Sequence, residues 1–372
     1  MAFLLYRRFI VRISTSIFCM TSEISQIYQC AQSLGFDLVG ISDSIIPTQD
    51  HDAFLQWLEQ NHHGTMHYLA RDPERRCIPS QILPNAQSVI MVALNYGQTQ
   101  PDSALVKMGK YARGKPDYHL VFEQKLSELC EILNTTFKNE AYRFSVDYGP
   151  LMERSFASKA QLGFIGKNTT LITREFGSWV LLGEIITTAK LPSSPLLAHG
   201  RCGTCTKCIT SCPTGALTAE YKLDSRLCIS YLTIENKGPI PVELREKVGA
   251  WLFGCDICQD VCPHNTKAKA YVPSKWTTIA IAPDLSDPDY LSSTAFLIKI
   301  LTIPDQEEFK QFFKNTPFLR AKRVGMIRNA CVVAGNLNDK SLIPYLEPLL
   351  KDESALIREH ADWAIKKLRP DD

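Results

Sequence analysis

CGTCTKCITSCP, residues 202–213, and CDICQDVCP, residues 255–263, are the stretches on which the reading of this chain turns. The first has the pattern C-x-x-C-x-x-C-x-x-x-C-P. In bacterial ferredoxins that run wraps a four-iron four-sulfur cube with three thiolates, while the fourth, followed by proline, leads away to a second cube. The second stretch repeats the theme with one cysteine fewer, and Cys228 is the obvious donor of the missing thiolate. The crossover rule then assigns Cys202, Cys205, Cys208 and Cys262 to one cluster, and Cys212, Cys228, Cys255 and Cys258 to the other. Structural zinc also uses paired C-x-x-C units, but it needs only four ligands per site and gives the C-x-x-x-C-P tails no purpose. Two clusters this close move single electrons. Such a module fused to other domains is normally wiring, so the chemistry must lie elsewhere in the chain.

Length and composition bound what surrounds the module. At 372 residues the chain exceeds one ordinary core and implies two or three domains. Lys and Arg total 41 against 39 acids, so a polyanion partner must be gripped by local patches rather than by overall charge. Eight of the 13 cysteines fall between Cys202 and Cys262. Tight C-x-x-C spacing in a long chain points to cluster ligation in a reducing, cytoplasmic compartment rather than to a disulfide scaffold. Cys19, Cys30, Cys77, Cys130 and Cys331 read as small buried hydrophobes. Residues 1–20 are basic and apolar and include Arg7-Arg8, but Arg12 and Ser14 to Ser16 interrupt any export-signal core. They read as an extension before a natural start near Met20. No later stretch reaches the ~20 apolar residues of a membrane span.

Residues 21–195 alternate helical and extended patterns, which indicates an α/β domain. Phe122, Leu126, Leu129 and Leu133 mark one buried helix face. SVIMVAL from Ser88, SWVLLGEII from Ser178 and DLVGI from Asp37 read as strands, the last entered through a helix stop at Gly35. LPSSPLLAHGR, from Leu191 to Arg201, suits a linker. Residues 196–275 hold the cysteine module. In 276–372 helical periodicity returns, with Ile357, Ala361, Ala364 and Leu368 striping a last helix, and the short helices resemble part of a HEAT-like repeat.

The densest polar segment outside the cysteines is VDYGPLMERSFASKAQLGFIGKNTTLI, from Val146 to Ile172. Taken alone, Asp147 before a Gly-Pro turn is a turn or cap residue. G-x-x-G-K-N lacks the spacing of a phosphate loop.

VDYGPLMER, GFIGKN, the two cysteine runs, CISYLTIENKGPIP from Cys228 and FGCDICQDVCP from Phe253 together resemble the epoxyqueuosine reductases. The likeness extends to KYARGKPDYH from Lys110, VGMIRNA from Val324 and IREHADWAIKKL from Ile357. Tyr148 stands where the family's VDTGP has threonine, and Phe164 where tryptophan is common. The resemblance implies a cobalamin-binding α/β domain similar to nitroreductases, a ferredoxin-like domain with two 4Fe-4S clusters and a HEAT-like helical domain. It implies reduction of the epoxide of epoxyqueuosine at the wobble position of transfer RNA. Electrons would come from an external donor such as a flavodoxin or ferredoxin, through the clusters to cobalamin. Asp147 matches the family's proposed general acid, a role that at neutral pH calls for a raised pKa.

The D-x-H-x-x-G cobalamin pattern is absent, so no lower histidine ligand is expected. By position in the resemblance, Arg71, Arg113, Asp147, Lys167, Asn168, Ser230, Cys255 and Asp256 are expected around the cofactor. The stretch from Phe309 to Arg328 is basic without an acid, and Lys322 and Arg323 are expected to contact phosphates of the anticodon stem-loop. Two alternatives remain at this stage: a corrinoid reductive dehalogenase, and a ferredoxin-type electron-transfer subunit.

Overall fold

The computed structural model describes residues 22–98, 104–197, 200–270, 272, 275–276 and 279–369; the expected extension, 1–20, lies outside them. The central sheet has four strands in the order Leu38–Asp43, Ser88–Asn95, Val180–Thr187, Tyr142–Ser145, each antiparallel to its neighbour. SVIMVAL and SWVLLGEII supply the two inner strands, and every residue of Ser88–Asn95 is buried. Alternate residues of that strand serve opposite faces. Ile90, Val92 and Leu94 pack with Phe122, Leu126, Leu129 and Leu133 of the helix Tyr118–Thr136, whereas Val89, Met91 and Ala93 pack with Phe156 and Ala157 of the helix Glu153–Lys159. Each such buried Leu or Phe contributes about 1.5–3 kcal/mol, so Leu129→Ala alone would cost about 2–5 kcal/mol. Gly35, at φ +90°, ends the helix Ser22–Ser33, and the Phe36 N–H bonds back to Ala31 O as the chain turns into the first strand.

The C-terminal helices Thr294–Leu301, Gln306–Phe312, Lys322–Leu337 and Ala355–Leu368 share one core. Ser293 and Asp305 cap the first two by accepting backbone N–H bonds. The stripe Ile357, Ala361, Ala364 and Leu368 is buried. A Cβ at Gly335 would lie 2.8 Å from the Trp363 ring, so glycine sets how closely the last two helices cross.

This core continues past the expected 275/276 boundary. Val106, Met108, Leu252 and Phe253 belong to it, and Trp251–Phe253 pairs in parallel with Lys107–Met108. Asn329 of the long helix donates to Thr233 O and Leu252 O, while Trp57 Nε1 on the other side donates to Leu223 O at 2.7 Å. The cysteine module is thus held between the sheet region and the helices.

Candidate active site

The eight cysteines line two voids. Cys202, Cys205, Cys208 and Cys262 surround one of about 130 Å³, several times what one tetrahedral ion fills, with Lys167 and His264 also in its wall. Cys212, Cys228, Cys255 and Cys258 stand together in the wall of a cavity of about 1010 Å³. Backbone donors serve the sulfurs: the Lys167 N–H lies 3.4 Å from Cys202 Sγ. Burial pushes the Cys212 thiol up, but the Thr214 hydroxyl and the N–H groups of Leu217, Ala216 and Thr214 outweigh it and hold the thiol below its usual range. Burial raises Cys258 to about 12, so a thiolate there needs the positive charge of bound iron.

Asp147 enters the large cavity from the loop after the strand Tyr142–Ser145, at φ +50°, a conformation Asp tolerates better than most residues. Its side chain is 62% exposed, open towards the cavity. Its N–H donates to Glu153 Oε1, and its Oδ2 accepts from the Tyr118 hydroxyl at 2.5 Å. His119 Nε2 lies 3.7 Å from the same Oδ2, and His119 Nδ1 lies 2.6 Å from Asp117 Oδ1. Withdrawal from bulk water pushes the Asp147 carboxyl up. The charge of His119 close by, the Tyr118 hydrogen bond and the charge of Arg154 outweigh it, leaving Asp147 below its ordinary value. The raised pKa expected from the sequence is therefore not what this arrangement produces, because two donors converge on the carboxylate.

Two further carboxyls lie behind the loop. Glu184 is fully buried in the strand Val180–Thr187, with Ser145 donating to its Oε1, and its Oε2 has no donor. Burial raises both Glu184 and Glu153. A Cβ at Gly149 would meet Ser145 Oγ at 2.2 Å and Glu184 Oε1 at 2.8 Å, so only glycine lets the loop lie on this pair.

Of the residues expected around the cofactor, Asp147, Asn168, Ser230 and Cys255 line the large cavity. Asp256 is buried behind it, accepting the Lys110 N–H at 2.7 Å, and burial raises it to about 6. Three expectations are corrected. Arg71 is exposed and does not line the cavity; Arg76, five residues on in the helix Pro73–Cys77, does, with its guanidinium on the carbonyls of Pro150 and Tyr68. Arg113 is buried against Pro288 O and Ser292 Oγ, because the C-terminal helical region covers it. Lys167 belongs to the smaller void, its Nζ 2.7 Å from Gly203 O and 2.6 Å from Glu220. The expected phosphate contacts divide: Lys322 is exposed, whereas Arg323 is buried with its guanidinium on Asp352 and Ile303 O.

Sequence reasoning did not single out Tyr118, His119, Glu153 and Glu184. His119 and Tyr118 gave no local signal, since their partner is 28 or more residues away. Glu184 did give one: a lone acid inside an apolar strand is rarely buried without a purpose.

Residues 201–265 match a family model described as a 4Fe-4S double cluster binding domain, and residues 76–148 match one described as epoxyqueuosine reductase QueG. The chain is 35% identical over 360 residues to the epoxyqueuosine reductase of Xanthomonas campestris, covering 93% of this chain and 96% of that one. It is 37% identical over 349 residues to that of Pseudomonas aeruginosa, covering 90% and 92%. Among solved structures, an epoxyqueuosine reductase with an epoxyqueuosine-modified tyrosine tRNA stem loop superposes with a TM-score of 0.80 at 31% identity, over 93% of this chain and 90% of that one. A Bacillus subtilis epoxyqueuosine reductase whose catalytic aspartate loop is swung out of the active site superposes at 0.78 and 30% identity, over the same shares. With the double-cluster module, the VDYGP loop and near full-length likeness all in one chain, this protein belongs to the epoxyqueuosine reductase family.

Proposed function

We infer that this chain reduces epoxyqueuosine to queuosine at the wobble position of transfer RNA, using two 4Fe-4S clusters and cobalamin. One observation carries the reading: a single cavity has Cys212, Cys228, Cys255 and Cys258 in its wall and Asp147 opening into it. Electrons and a proton can therefore meet on one substrate. The other four cysteines, around the smaller void, would hold the cluster that first accepts electrons from an external flavodoxin or ferredoxin.

The cavity, at about 1010 Å³, stands at the top of the roughly 300–1,000 Å³ range of sites for drug-sized ligands, which supports a large organic cofactor rather than a small metabolite. Hydroxyl groups of Thr169 and Ser230 line the wall where they can hold the cofactor by polar contacts, and Asn168, bonded to Thr170 and Cys258 O, shapes the wall beside them. Bound there, cobalamin would supply a strongly reducing, nucleophilic metal centre. Phe253 and Ile234 keep part of the wall apolar, and Tyr118 orients Asp147 towards the leaving oxygen. For the RNA, Arg76 and Arg320 flank the half-exposed Tyr68 ring at 5.8 and 6.0 Å, and all three line the cavity. We assign them to the anticodon loop, whose unstacked base can enter a deep pocket at modest cost.

In the same reading the region 21–195 is the nitroreductase-like cobalamin domain, 196–275 the ferredoxin-like domain and 276–372 the HEAT-like domain. No helix of the described residues is long and apolar enough to cross a membrane, and the proposed site of action is the cytoplasm. Anaerobically reconstituted protein, given cobalamin and a chemical reductant, should convert epoxyqueuosine to queuosine in a tRNA. Cobalt binding without conversion would point to another corrinoid reduction, and failure to bind cobalt to a pure electron-transfer role.

A further inference from the structure

Removing the oxygen of an epoxide to leave an alkene breaks two C–O bonds and forms one C=C bond. It takes up two electrons and two protons and releases water. The electrons come from the low-potential one-electron carrier class invoked above. The protons must be held by the chain's own groups, and a carboxylate bonded as Asp147 is carries none at neutral pH. The proton must be stored on a neighbour.

We propose that His119 is that store, a histidine clamped between two carboxylates that supplies a proton to the leaving oxygen through Asp147. This rests on the proposed function and deepens it. Nδ1 of the ring lies 2.6 Å from Asp117 Oδ1, and Nε2 faces Asp147 Oδ2 at 3.7 Å. An imidazole with an acceptor before each nitrogen is fully matched only when both carry hydrogen, that is, as the imidazolium. Asp117 is fixed: it caps the helix Tyr118–Thr136, accepts the His119 N–H at 3.0 Å, and donates its own N–H to Asn315 O at 2.7 Å. The ring plane is set by Tyr118 and Tyr148, stacked at 4.1 and 5.8 Å.

The other groups facing the pair are the Tyr118 hydroxyl on Asp147 Oδ2, Glu153 on the Asp147 N–H, the charge of Arg154 and Glu184 behind the loop, with Tyr111, Tyr68 and Arg320 further round the cavity wall. Burial works against a charged ring. The hydrogen bond to Asp117 and the charges of Asp117 and Asp147 outweigh it and lift His119 to about 9.

In the step, the Nε2–H bond breaks and the proton passes to Asp147 Oδ2 and on to the oxygen as its C–O bond breaks. The 3.7 Å gap is closed by one bridging water or by approach of the Asp147 loop. Neutral His119 keeps its Nδ1–H on Asp117 and is recharged from solvent, so that the second proton follows the same route as the oxygen leaves as water. A histidine serving only to cap the helix would need Nδ1 alone.

Two measurements test this. NMR titration of the cobalamin-free protein should find His119 still charged at pH 8, and Asp117→Asn should move its midpoint down towards the unperturbed value of about 6.5. In single turnovers on epoxyqueuosine tRNA, the wild-type rate should fall as pH rises past that midpoint. His119→Gln should lower the neutral-pH rate by about 10² to 10⁴ and abolish the alkaline fall, with tRNA affinity and iron content retained. Imidazole in solution should restore part of the rate to His119→Ala. A His119 that titrates below pH 7, or a His119→Gln variant with the wild-type rate and pH profile, overturns the proposal. If the wild type converts no epoxyqueuosine, the proposed function falls instead, and the titration still decides whether His119 holds the proton.

Discussion

Arg323 and Asp352 form a buried ion pair, Nη2 to Oδ2 at 2.6 Å, with only 7% of either side chain exposed. Arg323 also donates from Nε to Ile303 O. It therefore ties the start of the helix Lys322–Leu337 to two neighbouring segments, with Nε and Nη2 both spent inside the fold. Arg323→Ala should destabilise the fold by about 3–5 kcal/mol, because Asp352 is left charged and buried. Lys322→Ala should stay within about 0.5 kcal/mol. Thermal unfolding separates the two. A stable Arg323→Ala protein with weakened, less salt-dependent tRNA binding would return Arg323 to the phosphate contacts.

Asp147→Asn should retain iron and bind cobalamin, yet lose about 10² to 10⁴ in single-turnover rate, since an amide cannot pass a proton. The loop itself should survive, because asparagine tolerates the positive φ that Asp147 adopts. Near-wild-type turnover would remove Asp147 from the proton path.

Reconstituted wild-type protein should hold about eight irons, as two cubane clusters require. Cys212→Ser should damage the cluster of Cys228, Cys255 and Cys258, beside which Cys212 stands in the cavity wall, and spare the one at Cys202, Cys205 and Cys208. Paramagnetic resonance showing the opposite loss would refute the ligand sets.

Glu184→Gln tests the buried carboxyl. Burial raises Glu184 to about 8 in the fold, against an ordinary 4.5, so the native state binds the extra proton between those values. Its contribution to stability is complete below the unfolded value and declines as pH rises from about 4.5 through 8. The glutamine variant cannot ionise and should lack that decline, gaining stability relative to wild type as the buffer is made alkaline. Parallel melting curves for the two proteins from pH 5 to 9 would show that Glu184 is not protonated in the fold.

The periodic parts of the fold were readable from local sequence. The face Phe122, Leu126, Leu129 and Leu133, the inner strands and the stripe ending at Leu368 all report burial through spacing, which needs no knowledge of the partner. The cysteine grouping was equally readable, because the ligand pattern lies within 61 residues. What failed was the fate of long cations. Arg113, expected at the cofactor, and Arg323, expected at phosphates, are instead buried by Ser292 and Asp352, which arrive from segments no local pattern links to them. The Asp147 environment was hidden for the same reason: its carboxylate is governed by Tyr118 and His119, which no spacing rule links to VDYGP.

The exchange of Cys212 and Cys262 between the two runs bears on the order of events during synthesis. Neither void has its full set of sulfurs until translation has passed residue 258, since one needs Cys255 and Cys258 and the other closes only with Cys262. The segments that embrace the module, up to the helix Ala355–Leu368 whose His360 accepts the Ile240 N–H, emerge later still. A polypeptide truncated before Cys258 therefore leaves the ribosome with neither sulfur set complete, and one truncated between Cys258 and Cys262 with a single set.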